Sequence, residues 1–126
     1  MKVSESLVQK SIAKTAPLYK CALYRNNVGM FTIFNKGKRR VVKTGLCKGS
    51  SDLIGYKAIT ITPNMVGKKI AVFTAIEVKE SEWKETHKFT ETEEGQKRFI
   101  NSVREDGGIA GFANSIEMFV NIIKEK

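Results

Sequence analysis

A glutamate and a lysine stand two residues apart at the end of an apolar run. The segment AVFTAIEVKE, residues 71–80, continues from Ile70 and reads as a buried strand up to Val78, interrupted by Thr74 and Glu77. In a strand, residues i and i+2 point to one face. Glu77 and Lys79 therefore share a face, with Ile76 and Val78 expected to pack behind them. Opposite charges on one face of a buried strand are costly unless they pair or meet a partner such as a metal ion. Three more polar residues interrupt apolar patterns. Asp52 closes a Gly-Ser-Ser loop just before Leu53-Ile54, at a strand entrance. Gln96 shares a helical face with Phe99, Ile100 and Val103, and Glu5 is centred on the stripe Val8, Ile12, Ala16 of a first helix.

Each of these residues also has a purely structural reading. Glu5 would be stabilised at a helix N-terminus by the dipole. Asp52 would cap its turn, Gln96 would be a satisfied core amide, and Glu77 with Lys79 would be a structural ion pair, a weak stabiliser on a buried strand. As a set they suit hydrolysis of a phosphodiester bond. Two carboxylates bind a hard divalent cation, for which magnesium with oxygen ligands and retained waters is the default. The metal lowers the pKa of a bound water and screens the phosphate. A lysine adds positive charge where the transition state is most negative, and a glutamine holds the attacking water or a phosphate oxygen.

The elements that must position these residues follow from pattern. Residues 4–17 read as a helix, with Ser6 and Gln9 fitting a capping box and Pro17 closing it. CALYRNN and GMFTIFN read as strands around Asn26-Asn27-Val28-Gly29, and FNKGKRRVVK as a hairpin turning at Lys36-Gly37. TGLCKGSSDLIGY is a loop entering a short strand, KAITIT a further strand, and PNMVGKK one helical turn. Ile70–Val78 is expected to be the central strand. After a charged connection, Thr90 and Glu93 make a capping box for a helix running to about Asp106, where Gly107-Gly108 stops it. IAGFA is a short strand. Asn114 or Ser115 caps a last helix with Ile116, Phe119, Val120 and Ile123 on its stripe, which leaves Met118 and Ile122 off it for a partner. The order is helix, four or five strands, helix, strand, helix: an α/β fold, a mixed sheet covered by helices.

Charge is unevenly placed along the 126 residues. The net charge is +9, but residues 1–48 hold eleven Lys and Arg against the single acid Glu5, and the remainder is nearly balanced. Such a surplus points to a polyanion, most simply nucleic acid. The length suits one domain with one core. No apolar stretch is long enough to span a bilayer and the N-terminus lacks a signal-peptide core, so no membrane role and a cytoplasmic, complete chain are expected. Cys21 and Cys47 form no CxxC, and with the single His87 they exclude a Cys/His zinc site; both thiols are expected to be reduced.

Asp52 followed by Glu77-Val78-Lys79 resembles the D…(D/E)XK signature of the PD-(D/E)XK nucleases, with Ser51 where that superfamily usually has proline. GSSDLIGY, AVFTAIEVK and GQKRFINSVREDGGIAGFA together resemble the VRR-NUC family, the virus-type replication-repair nucleases, as do RNNVG at 25–29 and the Glu5 helix. The resemblance implies a single VRR-NUC domain over 1–126 with a restriction-endonuclease-like core, a central mixed β-sheet flanked by helices in the order α-β-β-β-α-β-α. It implies that Asp52, Glu77 and the Val78 carbonyl are ligands of Mg2+, with Mn2+ as a substitute and Glu5 as a further ligand. It makes Lys79 the catalytic lysine and Gln96 its helix-borne polar partner. It also implies a DNA endonuclease acting on branched or four-way (Holliday) junctions as a homodimer in a bacterial or phage-infected cell. Lys38, Arg39, Arg40 and Lys48 are the expected phosphate contacts, and Arg25 with Asn26 and Asn27 would touch DNA near the cut. A monomeric flap or nick nuclease and a non-catalytic nucleic-acid-binding module are the alternatives.

Overall fold

A computed structural model describes residues 3–124, and the chain divides into two compact units, Met1–Ile59 and Thr60–Lys126. The order is α1 (Glu5–Thr15), β1 (Cys21–Arg25), β2 (Gly29–Asn35), β3 (Lys38–Thr44), β4 (Leu53–Lys57), β5 (Thr74–Val78), α2 (Glu91–Glu105), β6 (Ile109–Ala113) and α3 (Ile116–Lys124). The fold is mixed α/β as expected, and five strands precede the second long helix. The strands pair two by two, β1 with β4, β2 with β3 and β5 with β6, where a single central sheet was expected.

In the first unit Ser4, not Ser6, caps α1: its hydroxyl accepts from the Leu7 N–H at 3.2 Å. That oxygen satisfies an orphan amide two residues before a Ser6 cap could, and it places Glu5 in the first turn, where the dipole favours an acid. The helix tightens into a 3-10 turn over Ala16–Tyr19 that contains Pro17. Of the expected stripe only Ala16 is buried; Val8 and Ile12 are exposed. β1 and β4 are antiparallel, with Cys21 opposite Lys57. The Ala58 N–H still reaches Lys20 O at 2.9 Å, but β1 offers no partner beyond, and KAITIT makes no strand of its own past Lys57, the last residue of β4. β2 and β3 form the expected hairpin. Lys36 and Gly37 have φ of 51° and 76°, the left-handed pair that a two-residue turn between right-twisted strands needs.

The second unit is a βαβ crossover. β5 and β6 are parallel, with Glu77 opposite Phe112 and Val78 opposite Ala113, and α2 connects them. β5 is shorter than Ile70–Val78 because β6 is only five residues long; single bonds from Ile109 N to Phe73 O and from Lys79 N to Ala113 O extend the ladder at each end. The core is Ile100, Val103, Ala110, Phe112, Ala113 and Ile122. α3 lies against β6 through Gly111, where an added Cβ would come within 2.8 Å of the Ile122 side chain. The inward residue of α3 is thus Ile122, while Ile116 is exposed. This corrects the expected stripe: α3 is apolar on most sides, and contact with β6 rather than periodicity selects its buried face.

Candidate functional site

The ladder and the crossover helix bring three of the expected residues together. The Gln96 side-chain amide donates from Nε2 to Glu77 Oε1 at 2.8 Å, and its Oε1 accepts from Lys79 Nζ at 2.9 Å. The amide therefore bridges two residues of one strand face, which is what i and i+2 spacing requires. Gln96 can do this because α2 crosses β5 with its partly buried side turned to the strand. Val78, expected to pack behind, is 75% exposed. A cleft of about 550 Å3 runs beside this row, lined by Ala75, Glu77, Thr92, Gly95, Gln96 and Phe99 among others.

Beyond Lys79 the row continues into a residue that pattern assigned only to a helix cap. Glu93 Oε2 lies 3.6 Å from Lys79 Nζ and accepts from the Trp83 indole N–H at 2.6 Å. Its Oε1 accepts from the Thr90 N–H at 3.1 Å and meets His87 Nε2 at 3.3 Å. Glu93 is only 6% exposed. The indole hydrogen bond, then the Thr90 amide, bring its pKa from 4.5 down to about 2 against the opposing effect of burial. The carboxylate is thus ionised at neutral pH and can only accept, so His87 Nε2 carries the proton in their contact. Lys79 Nζ also stands 5.9 Å from the Trp83 ring centre and 5.6 Å from that of Phe112, within cation–π range. Asn114 holds the Trp83 turn by donating to Ser81 O at 3.2 Å and Trp83 O at 2.8 Å. The signal that could have found this hub was the aromatic cluster Trp83, His87, Phe89 inside an otherwise charged connection.

The remaining expected residues belong to the first unit. Asp52 is exposed at the entrance to β4, and its carbonyl accepts from the Asn26 N–H at 2.8 Å. Glu5 is exposed in the first turn of α1. Asn26 is committed to its own loop: it donates to Ser50 Oγ and Ser51 O, each at 2.8 Å, and accepts from the Leu46 N–H at 2.7 Å. Its amide pins the segment that carries Lys48 and leads to Asp52. Arg25, Asn27, Lys38, Arg39, Arg40 and Lys48 are all exposed.

A hard divalent cation takes oxygen donors. Glu77 and the Val78 carbonyl are donors of that kind on one strand. Their number falls short of a site, and within either unit no three His, Cys, Asp or Glu among the described residues gather into a metal-holding group. No described helix is long and apolar enough to cross a membrane. Comparison with protein-family models, with curated proteins and with solved structures finds no match.

Proposed function

We propose that the chain is a metal-dependent, structure-selective DNA endonuclease of VRR-NUC type, with a restriction-endonuclease-like core, acting on branched or four-way junction DNA. The observation that carries this reading is the row Glu77–Gln96–Lys79, a carboxylate, an amide and an ammonium joined at 2.8 and 2.9 Å on one strand face. Glu77 and the Val78 carbonyl are the oxygen donors of this row that would contribute to holding Mg2+, or Mn2+ in its place, which would supply an activated water. Lys79 presents positive charge to the phosphate undergoing attack. Gln96 orients Glu77 and Lys79 with its two ends and has only to turn to engage a water or a phosphate oxygen. Glu93, anionic at working pH, fixes the far side of Lys79. Arg25, Lys38, Arg39, Arg40 and Lys48 hold the DNA backbone, which sets affinity rather than chemistry.

The test is incubation of the chain with a four-way junction, a flap and a plain duplex, with and without Mg2+. Mg2+-dependent cuts in the junction support the reading; binding without cleavage of any substrate overturns it in favour of the non-catalytic module. A two-fold homodimer would place one site on each of two symmetric strands. A second reading, a monomeric flap or nick nuclease, is favoured by one observation: of the two residues expected to be offered to a partner, Ile122 is buried within its own unit and Met118 is half-buried. On a supercoiled plasmid with a cruciform, a dimer gives linear product first and a monomer gives nicked circles.

A further inference from the structure

Every residue from Met30 to Val41 is exposed, although these residues make up most of a regular two-stranded hairpin. A hairpin with neither face covered is marginal on its own, and this one leaves large apolar side chains in solvent. Residues directly opposite one another share a face. On one face Phe34 stands opposite Arg39, and Met30 opposite Lys43. On the other Ile33 stands opposite Arg40, and Phe31 opposite Val42. Phe34 is 75% exposed and lies next to the turn at Lys36-Gly37. Five Lys and Arg fall between Lys36 and Lys43, and no acid occurs from Ser6 to Ser51.

We infer that this hairpin is a nucleic-acid-binding ribbon in which Phe34 stacks on an unpaired base while the flanking cations hold the adjoining phosphates. The charge selects the occupant. A second copy would bring five more cations against these five, whereas a phosphate backbone complements them. The distribution selects nucleic acid over a membrane surface. A membrane-lying element segregates its apolar residues to one face, but here each face carries both an aromatic ring and a cation. Aromatic side chains among basic ones are the general means of holding single-stranded nucleic acid, because every base has a face to stack. The inference deepens the nuclease reading and rests on it for the biological substrate: a flap carries unpaired bases, and a four-way junction exposes them where the pairs at its branch point open.

The experiment measures binding by fluorescence anisotropy, in EDTA so that cleavage plays no part, with a labelled oligothymidylate and with a labelled blunt duplex. Phe34→Ala is expected to weaken oligothymidylate binding about fivefold to a hundredfold, the range for loss of one stacked base, and to leave duplex binding within about twofold. Phe34→Trp should restore the single-strand affinity. Since Phe34 is exposed, circular dichroism of both variants should match the parent. Equal affinity of Phe34→Ala and the parent for oligothymidylate overturns the inference, as does an equal loss on both probes. Loss of binding to phosphatidylserine vesicles with DNA affinity unchanged overturns it in favour of a membrane surface. Cleavage of junctions with no effect of Phe34 would leave the nuclease reading standing alone, and Phe34-dependent binding without Mg2+-dependent cleavage would leave the ribbon standing alone.

Discussion

Two regions of this chain handle polar and apolar groups in opposite ways. In the βαβ unit the charged groups are tied to one another: Glu77 to Gln96, Gln96 to Lys79, Lys79 to Glu93, and Glu93 to Trp83, His87 and Thr90. In the β2–β3 hairpin, cations of one sign lie beside exposed aromatic rings, and no acid is present in the segment. The first arrangement fixes side chains before any substrate arrives, which chemistry requires because reacting groups must not reorganise. The second leaves side chains able to adapt to a backbone they have yet to meet. Under the proposed reading, preorganised chemistry falls to the βαβ unit and capture of nucleic acid to the hairpin, and substitutions should separate the two.

The widest separation is expected at the row's carboxylate. Glu77→Gln should abolish Mg2+-dependent cleavage of a junction while gel-shift affinity is kept, since affinity comes mostly from basic contacts. Parallel loss of cleavage and binding in a folded variant would merge the two regions into one. Lys79→Ala is expected to lower the single-turnover rate roughly a hundredfold or more, the scale of removing one charge partner of the transition state. It too should leave affinity near the parent's.

Acid stability should sharpen the contrast further. The folded pKa of Glu93 is depressed, from 4.5 to about 2. A depressed carboxylate contributes stability that is fully present above the unfolded value and is lost as the pH falls through the folded one. The parent should therefore lose urea resistance between pH 4.5 and about 2. Glu93→Gln should be less stable at neutral pH and flatter across that window. Trp83→Phe, which removes the largest cause of the depression, should move the loss to higher pH. An unchanged pH profile in both variants would show that the hub does not hold an ionised carboxylate.

What the sequence made legible divides along the same line. Glu77, Lys79 and Gln96 were readable because period-two and helical spacing are local rules, and both held. The Thr90–Glu93 box and the Lys36-Gly37 turn were readable for the same reason. Glu93 as a hub was not, because Trp83 and His87 reach it from a connection without periodicity. The burial of Ile122 was not, because α3 carries apolar residues at 116, 118, 119, 120, 122 and 123 and its own pattern cannot choose a face. KAITIT alternates like a strand but lacks a neighbour to pair with, and pairing is a long-range fact. The position of Asp52 at the entrance to a strand was legible, because a Gly-Ser-Ser run before Leu53-Ile54 marks a loop entering an apolar strand.

Capture by the basic hairpin should show smaller, graded effects. Neutralising Lys38, Arg39 and Arg40 together is expected to weaken binding to all DNA forms alike. The slope of log affinity against log salt should fall by up to about one unit for each phosphate that is no longer neutralised. Cleavage per bound complex should stay near the parent's, because none of these residues belongs to the Glu77–Gln96–Lys79 row. A fall in rate at saturating protein would instead tie the hairpin to the chemistry.

The smallest effect is expected at the hairpin turn, and it separates conformation from charge. Lys36 adopts φ of 51° without being glycine, a region that costs a side chain with a Cβ roughly 1 kcal/mol or more. Asparagine tolerates that region better, and Asn-Gly is the favoured pair for such a turn. Lys36→Asn should therefore stabilise the hairpin by about half a kcal/mol, within the range for relieving backbone strain. Gly37→Ala should destabilise it by about 1 kcal/mol, because φ of 76° admits no Cβ cheaply. If Lys36 also touches a phosphate, Lys36→Asn will lower the salt slope by about one unit while raising the hairpin's resistance to urea. A strained lysine kept at a turn that asparagine would suit is then explained by its charge. If Lys36→Asn raises stability and leaves the salt slope unchanged, the tip cation takes no part in capture, and the ribbon's contacts begin at Lys38.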